Sequence, residues 1–273
     1  MSALEQGPVH DIEVLLCHAV NDPVDHAFSA KPYVRFIKGS ESALIPELWR
    51  DGIYQAKADK VATLTAHCVP KIDWLETALS LDMEKYAGYG GVIELSPGSD
   101  GVGAAIHLLR YAMFTPPQQA RDTFEIAADN AVYRRDDILA CADLLAGGFW
   151  EPSFHSVFKK NGAKMALHPG LVTTHRNQYK AGEFMKQRRL HGQDFGRARA
   201  DGVSLLTNLA MLVFSPAAYF IYGIKLVVRT GKSKTLRRHF LRAAPWLALF
   251  LGSWIWGEAT GYAESFFSKM KNQ

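Results

Sequence analysis

Two long apolar stretches near the end of the chain, Val203–Val228 and Ala243–Tyr262, limit what this sequence can fold into. A bilayer-crossing helix needs ~20 apolar residues, and both stretches reach that length. The first carries Pro216 near its middle and Lys225 near its end. The second carries Trp246, Trp254, Trp256 and a single carboxylate, Glu258. Between them lie Arg229, Lys232, Lys234, Arg237 and Arg238, and a second basic group (Lys186, Arg188, Arg189, Arg197, Arg199) precedes the first stretch. Basic flanks prefer the cytoplasmic side of a membrane, so a simple two-pass hairpin would strand one cluster outside. The expectation is a first segment that dips in and returns, broken at Pro216, or one that lies in the interface. The second segment is expected to behave likewise, its tryptophans at headgroup depth. A helical subdomain packed on a sheet, with a solvated basic face, is the competing reading.

Upstream, short apolar runs alternate with helical spacing. Ile12–Cys17, Tyr33–Ile37, Lys60–Thr65 and Gly90–Leu95 read as strands, as does the shorter Asp129–Tyr133. Pro46–Ala58, Asp73–Asp82, Ala104–Phe114, Arg135–Leu145 and Ser153–Asn161 read as helices, two of them closed by glycine. Lys164–Leu167 and Leu171–Thr174 read as edge-like strands, and Ala181–Ala200 as a long basic helix. Strands alternating with helices predict an α/β fold with a mainly parallel sheet. The expected division is residues 1–200 as the α/β domain and 201–273 as a membrane-associated helical region.

Bulk numbers exclude other classes. A hydrophobic content of 48% is too high for a disordered chain. The net charge of +4 is too small to argue for nucleic acid, and no nucleic-acid motif accompanies the basic clusters. Three scattered cysteines, Cys17, Cys68 and Cys141, form no C-x-x-C pair, so neither a disulfide framework nor a zinc site is suggested. Met1–His10 is polar and lacks an apolar core of signal-peptide length, so the globular part is expected to stay in the cytoplasm. Gly98–Gly103 lacks the context of a phosphate loop and reads as a turn.

One run joins several chemical groups: Gly148-Phe149-Trp150-Glu151-Pro152-Ser153-Phe154-His155, then Thr173-Thr174-His175, then Gln187-Arg188-Arg189-Leu190-His191-Gly192. With Pro46-Glu47-Leu48, His67-Cys68-Val69-Pro70 and Asp73-Trp74-Leu75 upstream, it resembles the catalytic domain of family 2 glycosyltransferases over roughly residues 12 to 200. The resemblance implies a GT-A-type, Rossmann-like domain acting at the cytoplasmic face of a membrane, the inner membrane in a bacterium. It implies transfer of a sugar from a nucleotide-sugar donor to a lipid-linked or cell-envelope acceptor. Glu151 would be the general base, with burial beside Trp150 raising its pKa and His155 orienting it. Gln187, Arg188, Arg189 and His191 would meet the diphosphate or acceptor, although anionic lipid headgroups suit the same residues. His175, with His67, would touch a divalent Mg or Mn.

The sequence departs from that family in two places. Its Asp-x-Asp is degenerate: Ala66 stands where an aspartate is expected, with no carboxylate nearby in sequence. The N-terminal nucleotide-binding region is shortened, so that Ile12–Cys17 matches the family's second strand or substitutes for its first. These departures motivate an alternative, a catalytically inactive relative serving as a membrane-tethered subunit. A partner chain supplying the missing strand belongs to the same picture.

Overall fold

The computed structural model describes residues 12–24, 28, 30–231 and 234–271. The expectation for Met1–His10, and part of the basic loop around Lys232, fall outside them. The chain is α/β, with a mixed sheet flanked by helices and an apolar helical region at its C-terminal end. It divides into two compact units, residues 1–94 with 114–175, and residues 95–113 with 176–273. The long basic helix and a short inserted segment thus group with the apolar tail, whereas the sequence suggested a boundary at 200.

In the first unit, β1 (Val14–Ala19) and β2 (Val34–Gly39) pair in parallel as a separate two-stranded sheet, and α1 (Ile45–Gln55) follows. The larger sheet holds β3 (Lys60–Leu64), β4 (Cys68–Pro70), β5 (Gly88–Leu95), β6 (Arg121–Asp122), β7 (Asn130–Arg134) and β8 (Met165–His175). Its order is β3-β7-β5-β8-β4, with β6 also on β8. β7 runs antiparallel to both β3 and β5, and β8 antiparallel to β4 and β6. The sheet is therefore mixed rather than mainly parallel. β3 and β5 do run the same way, but β7 inserts between them in the opposite sense. Side-chain alternation reports which face a residue occupies and carries no information about strand direction.

β8 also corrects the sequence reading of two edge strands. His168-Pro169-Gly170 looked like a break, yet the strand continues through it, pairing β6 at Ala166 and Leu167 and β4 from Thr173 to His175. The expected helix 135–145 is two short ones, α4 (Arg135–Leu139) and α5 (Ala142–Ala146).

β7 is buried on both faces, and its successive side chains alternate between the two as a period of two requires. Tyr133 packs with Phe149, Phe154 and Ile138, while its neighbour Val132 packs with Trp74, Leu75 and Leu171. Trp74 and Leu75 come from α2 (Trp74–Ser80). Asn130 is a buried polar strut between these layers. Its amide donates to the Val92 carbonyl at 3.0 Å and the Leu171 carbonyl at 2.9 Å, and accepts from the Trp74 indole at 2.8 Å. Gly91 is glycine because a Cβ there would strike both that amide and the Leu171 carbonyl.

The second unit contains α3 (Gly101–Tyr111), α7 (Ala181–Ala200), α8 (Leu205–Gly231) and α9 (Lys234–Lys271). Helix α6 (Glu151–Lys160) belongs to the first unit. Ala105, Ile106, Phe184, Leu247 and Phe250 form the second unit's core. α7 and α9 approach backbone to backbone. A Cβ on Gly192 would meet the Trp254 carbonyl, one on Gly196 the Glu258 carbonyl, and one on Gly257 the Arg189 carbonyl. Glu258, the lone carboxylate of its apolar stretch, is buried here and fully engaged. It accepts from Tyr262 at 2.6 Å, Arg199 at 3.1 Å and the Trp254 indole at 3.2 Å. The second apolar stretch is thus the packed centre of a helical unit, and Trp246 and Trp254 serve that packing.

This crossing makes a prediction within one helix. Gly257→Ala should destabilise the protein by about 1–3 kcal/mol, because the helices must separate to admit a methyl. Gly252→Ala, whose Cβ meets nothing nearer than Tyr219 at 3.8 Å, should be neutral or mildly stabilising through helix propensity. Thermal melts of the two variants decide it, and equal melting temperatures would contradict the close crossing.

The first apolar stretch corrects another expectation. α8 is continuous through Pro216. A proline there leaves the carbonyl four residues earlier, on Leu212, without its helical donor. The Ser215 hydroxyl donates to that carbonyl at 2.9 Å, so no break is needed.

Candidate functional site

Helix α6 starts at Glu151, two residues earlier than its spacing suggested. The loop before it is pinned from below. Phe149 is fully buried, with its ring centroid 4.7 Å from Phe154 and 5.1 Å from Tyr133, and its amide donates to the Pro46 carbonyl at 2.8 Å. Gly148 takes φ 108°, a left-handed torsion that suits glycine and turns the chain sharply. With Phe149 anchored inward, Trp150 is 47% exposed and folds back so that its indole donates to the Gly147 carbonyl at 3.0 Å. Trp150 is therefore not the burying wall expected beside Glu151. Glu151 itself is partly exposed at the first residue of the helix.

His155 sits one turn further on and points into the protein. Its Nε2 lies 3.0 Å from the Tyr133 hydroxyl, and the ring also bonds the Phe124 backbone. Burial pushes its pKa down from 6.5 to about 4, so the ring is neutral; with one nitrogen donating to the Phe124 backbone, Nε2 accepts a hydrogen bond from the Tyr133 hydroxyl. Both ring nitrogens thus have partners other than Glu151, and an orienting role toward that carboxylate is not supported. Tyr133 is held well above its ordinary pKa, first by burial and then by the charges of Glu151 and Asp129. Two carboxylates far apart in sequence therefore act on one buried phenol.

The His155 shift gives a pH dependence. A histidine kept neutral in the fold contributes stability that is complete above its unfolded pKa of 6.5. That contribution falls as pH drops toward about 4, where the folded ring also protonates. The span corresponds to on the order of 3 kcal/mol. Urea midpoints at pH 7.5 and pH 4.5 should differ more for the native chain than for His155→Gln, which does not titrate. An unchanged difference would contradict the neutral, buried ring.

A second group forms where β3 ends and β7 begins. The register that sets Leu64 opposite Asn130 brings Thr65 and Asp129 together, and the Thr65 hydroxyl donates to Asp129 Oδ1 at 3.0 Å. His67 Nε2 is 3.6 Å from the same oxygen. Cys68 opens β4 opposite His175 at the end of β8, and the His67 and His175 rings meet edge-on with centroids 5.6 Å apart. His67, Cys68, Asp129 and His175 are all buried. Ligand-type atoms of His67, Cys68 and Asp129 lie within 4.8 Å of one another. The fold therefore supplies a carboxylate that sequence neighbours could not, and adds a thiol that the absence of C-x-x-C had set aside. The adjacent His67-Cys68 pair was visible in the sequence, but Asp129 carries no spacing signal.

Mg or Mn does not fit this donor set. Such hard ions take oxygen ligands, Mg in near-ideal octahedral geometry. Here one carboxylate is joined by imidazoles and a thiol.

The second unit holds the remaining predicted residues, on α7. Arg188 lies over Phe184 at 5.2 Å and over Trp254 at 5.1 Å, with its guanidinium 3.1 Å from His191 Nδ1. Burial, and then the charge of Arg110, pull its pKa from 12.5 to about 10. His191 is lowered by burial and by Arg188. The Arg188 Nε is buried with no hydrogen-bond partner among the described residues. Gln187 reaches the Tyr179 hydroxyl at 3.5 Å, and Arg189 is exposed. Crowded positive groups of this kind favour an anion. Glu151, His155, His67 and His175 belong to the first unit, and Gln187, Arg188, Arg189 and His191 to the second.

No protein family profile matches the chain, and no curated protein matches it. Among solved structures it is similar to the mannosyltransferase PcManGT from Pyrobaculum calidifontis, in complex with GDP-Man and Mn2+. That likeness covers 92% of this chain and 81% of the other at 15% identity, with a TM-score of 0.48. Similarity of that depth carries no weight for activity.

Proposed function

We propose that the chain is a membrane-associated glycosyltransferase-like enzyme. It moves a sugar from a nucleotide-sugar donor to a lipid-linked or cell-envelope acceptor at the cytoplasmic face of a membrane. The observation that carries this reading is Glu151, a partly exposed carboxylate in the first turn of α6, where the chain entering the helix is pinned by the buried Phe149. In the reaction the acceptor oxygen bonds the anomeric carbon, the bond from that carbon to the diphosphate breaks, and Glu151 takes the hydroxyl proton. Within the second unit, Arg188 and Arg189, with Gln187 and His191, offer positive and hydrogen-bonding groups of the kind that bind an anion. His155 and Tyr133 act by holding the base of the loop.

Membrane association is supported by α8, a helix of 27 residues long and apolar enough to cross a bilayer. Its exposed apolar residues include Val213, Phe214, Phe220, Ile221, Ile224 and Val228. The alternative, an inactive membrane-tethered subunit, draws on Ala66, an exposed alanine where the resemblance expects an aspartate. Assay of transfer from common nucleotide sugars, by the native chain and by Glu151→Gln, separates the two. Transfer that depends on Glu151 supports the enzyme, and silence with every donor supports the inactive subunit.

A further inference from the structure

We propose that His67, Cys68 and Asp129 form a site for a borderline-soft divalent ion of the zinc type. The inference goes beyond glycosyl transfer and does not depend on it.

The donor chemistry selects the ion. Thiolate, imidazole and a single carboxylate are the ligands that zinc accepts, and a thiolate is a poor ligand for Mg, Ca or Mn. The geometry agrees. Two nitrogen or oxygen ligands on one tetrahedral zinc are roughly 3.3 Å apart, given bonds of about 2.0–2.2 Å. His67 Nε2 and Asp129 Oδ1 are 3.6 Å apart before any ion draws them in. The three donor atoms lie within 4.8 Å of one another, on residues that are each under a tenth exposed. The supporting groups also suit a metal. The Thr65 hydroxyl already donates to Asp129 Oδ1 at 3.0 Å, as an outer partner orients a ligating carboxylate. The pairing of β4 with β8 holds Cys68 opposite His175, whose ring meets that of His67 edge-on and is a candidate for a fourth ligand. Three of these residues sit at the ends of different strands, so the ion would tie β4 and β7, and with His175 β8, at one end of the sheet.

Binding has a stoichiometric signature. Zinc takes cysteine as thiolate, so each ion bound at neutral pH displaces about one proton, from Cys68.

The test uses the full chain, stripped with chelator and titrated with Co2+, then Zn2+, in weak buffer, with no sugar donor present. Saturation near one Co2+ per chain is expected, with a thiolate-to-cobalt charge-transfer band that Zn2+ bleaches and with proton release. Cys68→Ser should lose that band, while Cys17→Ser and Cys141→Ser keep it. Thr65→Val, which leaves all three ligands in place, should weaken binding by roughly 10- to 100-fold. Far-ultraviolet circular dichroism establishes that each variant is folded. No band from the folded native chain would overturn the proposal. So would a band that survives Cys68→Ser, or tighter binding of Mn2+ or Mg2+ than of Zn2+. Zinc binding without any sugar transfer would leave this site standing and remove only the enzymatic reading.

Discussion

Glu151→Gln should lower sugar transfer by about 10²- to 10⁴-fold while leaving the fold intact, since a positioned general base contributes about that much. Glutamine keeps the shape and polarity of the side chain and removes only its ability to take a proton. The loop that presents residue 151 is held by Phe149, its bond to the Pro46 carbonyl and the left-handed Gly148, none of which involves the carboxylate. Melting temperature should therefore change little. The loss should appear in kcat, with donor KM nearly constant, because proton transfer belongs to the transition state and not to donor binding. Tyr133→Phe should behave differently. It removes the hydroxyl that faces His155 in the core, so stability should fall along with activity. Undiminished turnover by Glu151→Gln would take that residue out of the mechanism.

What the sequence made legible was mostly local. The twenty-residue α7 covers the run that read as a long basic helix, and the Glu183 carboxylate closes its first turn by accepting from the Lys180 backbone. The strands β3, β5 and β7 were visible as apolar runs. Their relative direction was not, because alternation is the same for parallel and antiparallel neighbours. Glu151 was expected as the general base through the family resemblance, and the structure places it at the first residue of α6. The position of Asp129 was not legible, since it reaches Thr65 and His67 only through the register of β3 on β7. Arg188 read as one of several basic groups that would meet a diphosphate or a lipid headgroup. Only packing reveals it over Phe184 and Trp254, beside Arg110. Pro216 looked like a break because the rule concerns the backbone alone, and the rescue comes from the hydroxyl of the residue before it.

Placing aspartate at both Phe214 and Ile224 should release the protein from membranes. At about 3.6 residues per turn, the exposed apolar side chains of α8 (Leu206, Leu209, Val213, Phe214, Phe220, Ile221, Ile224, Val227 and Val228) fall within roughly 140° of the helix circumference. Packing against α9 within the second unit leaves that face uncovered. A face this wide and this apolar is what lipid contact requires, and scattered single hydrophobes would not produce it. Phe214 is 71% exposed and Ile224 65%, so neither substitution removes a core contact, and the helix should still form. An aspartate near the middle of a lipid-exposed helix costs about 2.5–3.5 kcal/mol, and the two sites are more than two turns apart. Together they should reduce partitioning into vesicles by roughly 10³-fold or more. Flotation with neutral and anionic vesicles at low and high salt then separates two contributions. Loss of neutral-vesicle binding in the double variant supports burial of the α8 face. Binding that survives both aspartates but disappears at high salt would assign attachment to the basic clusters alone and remove α8 from the membrane.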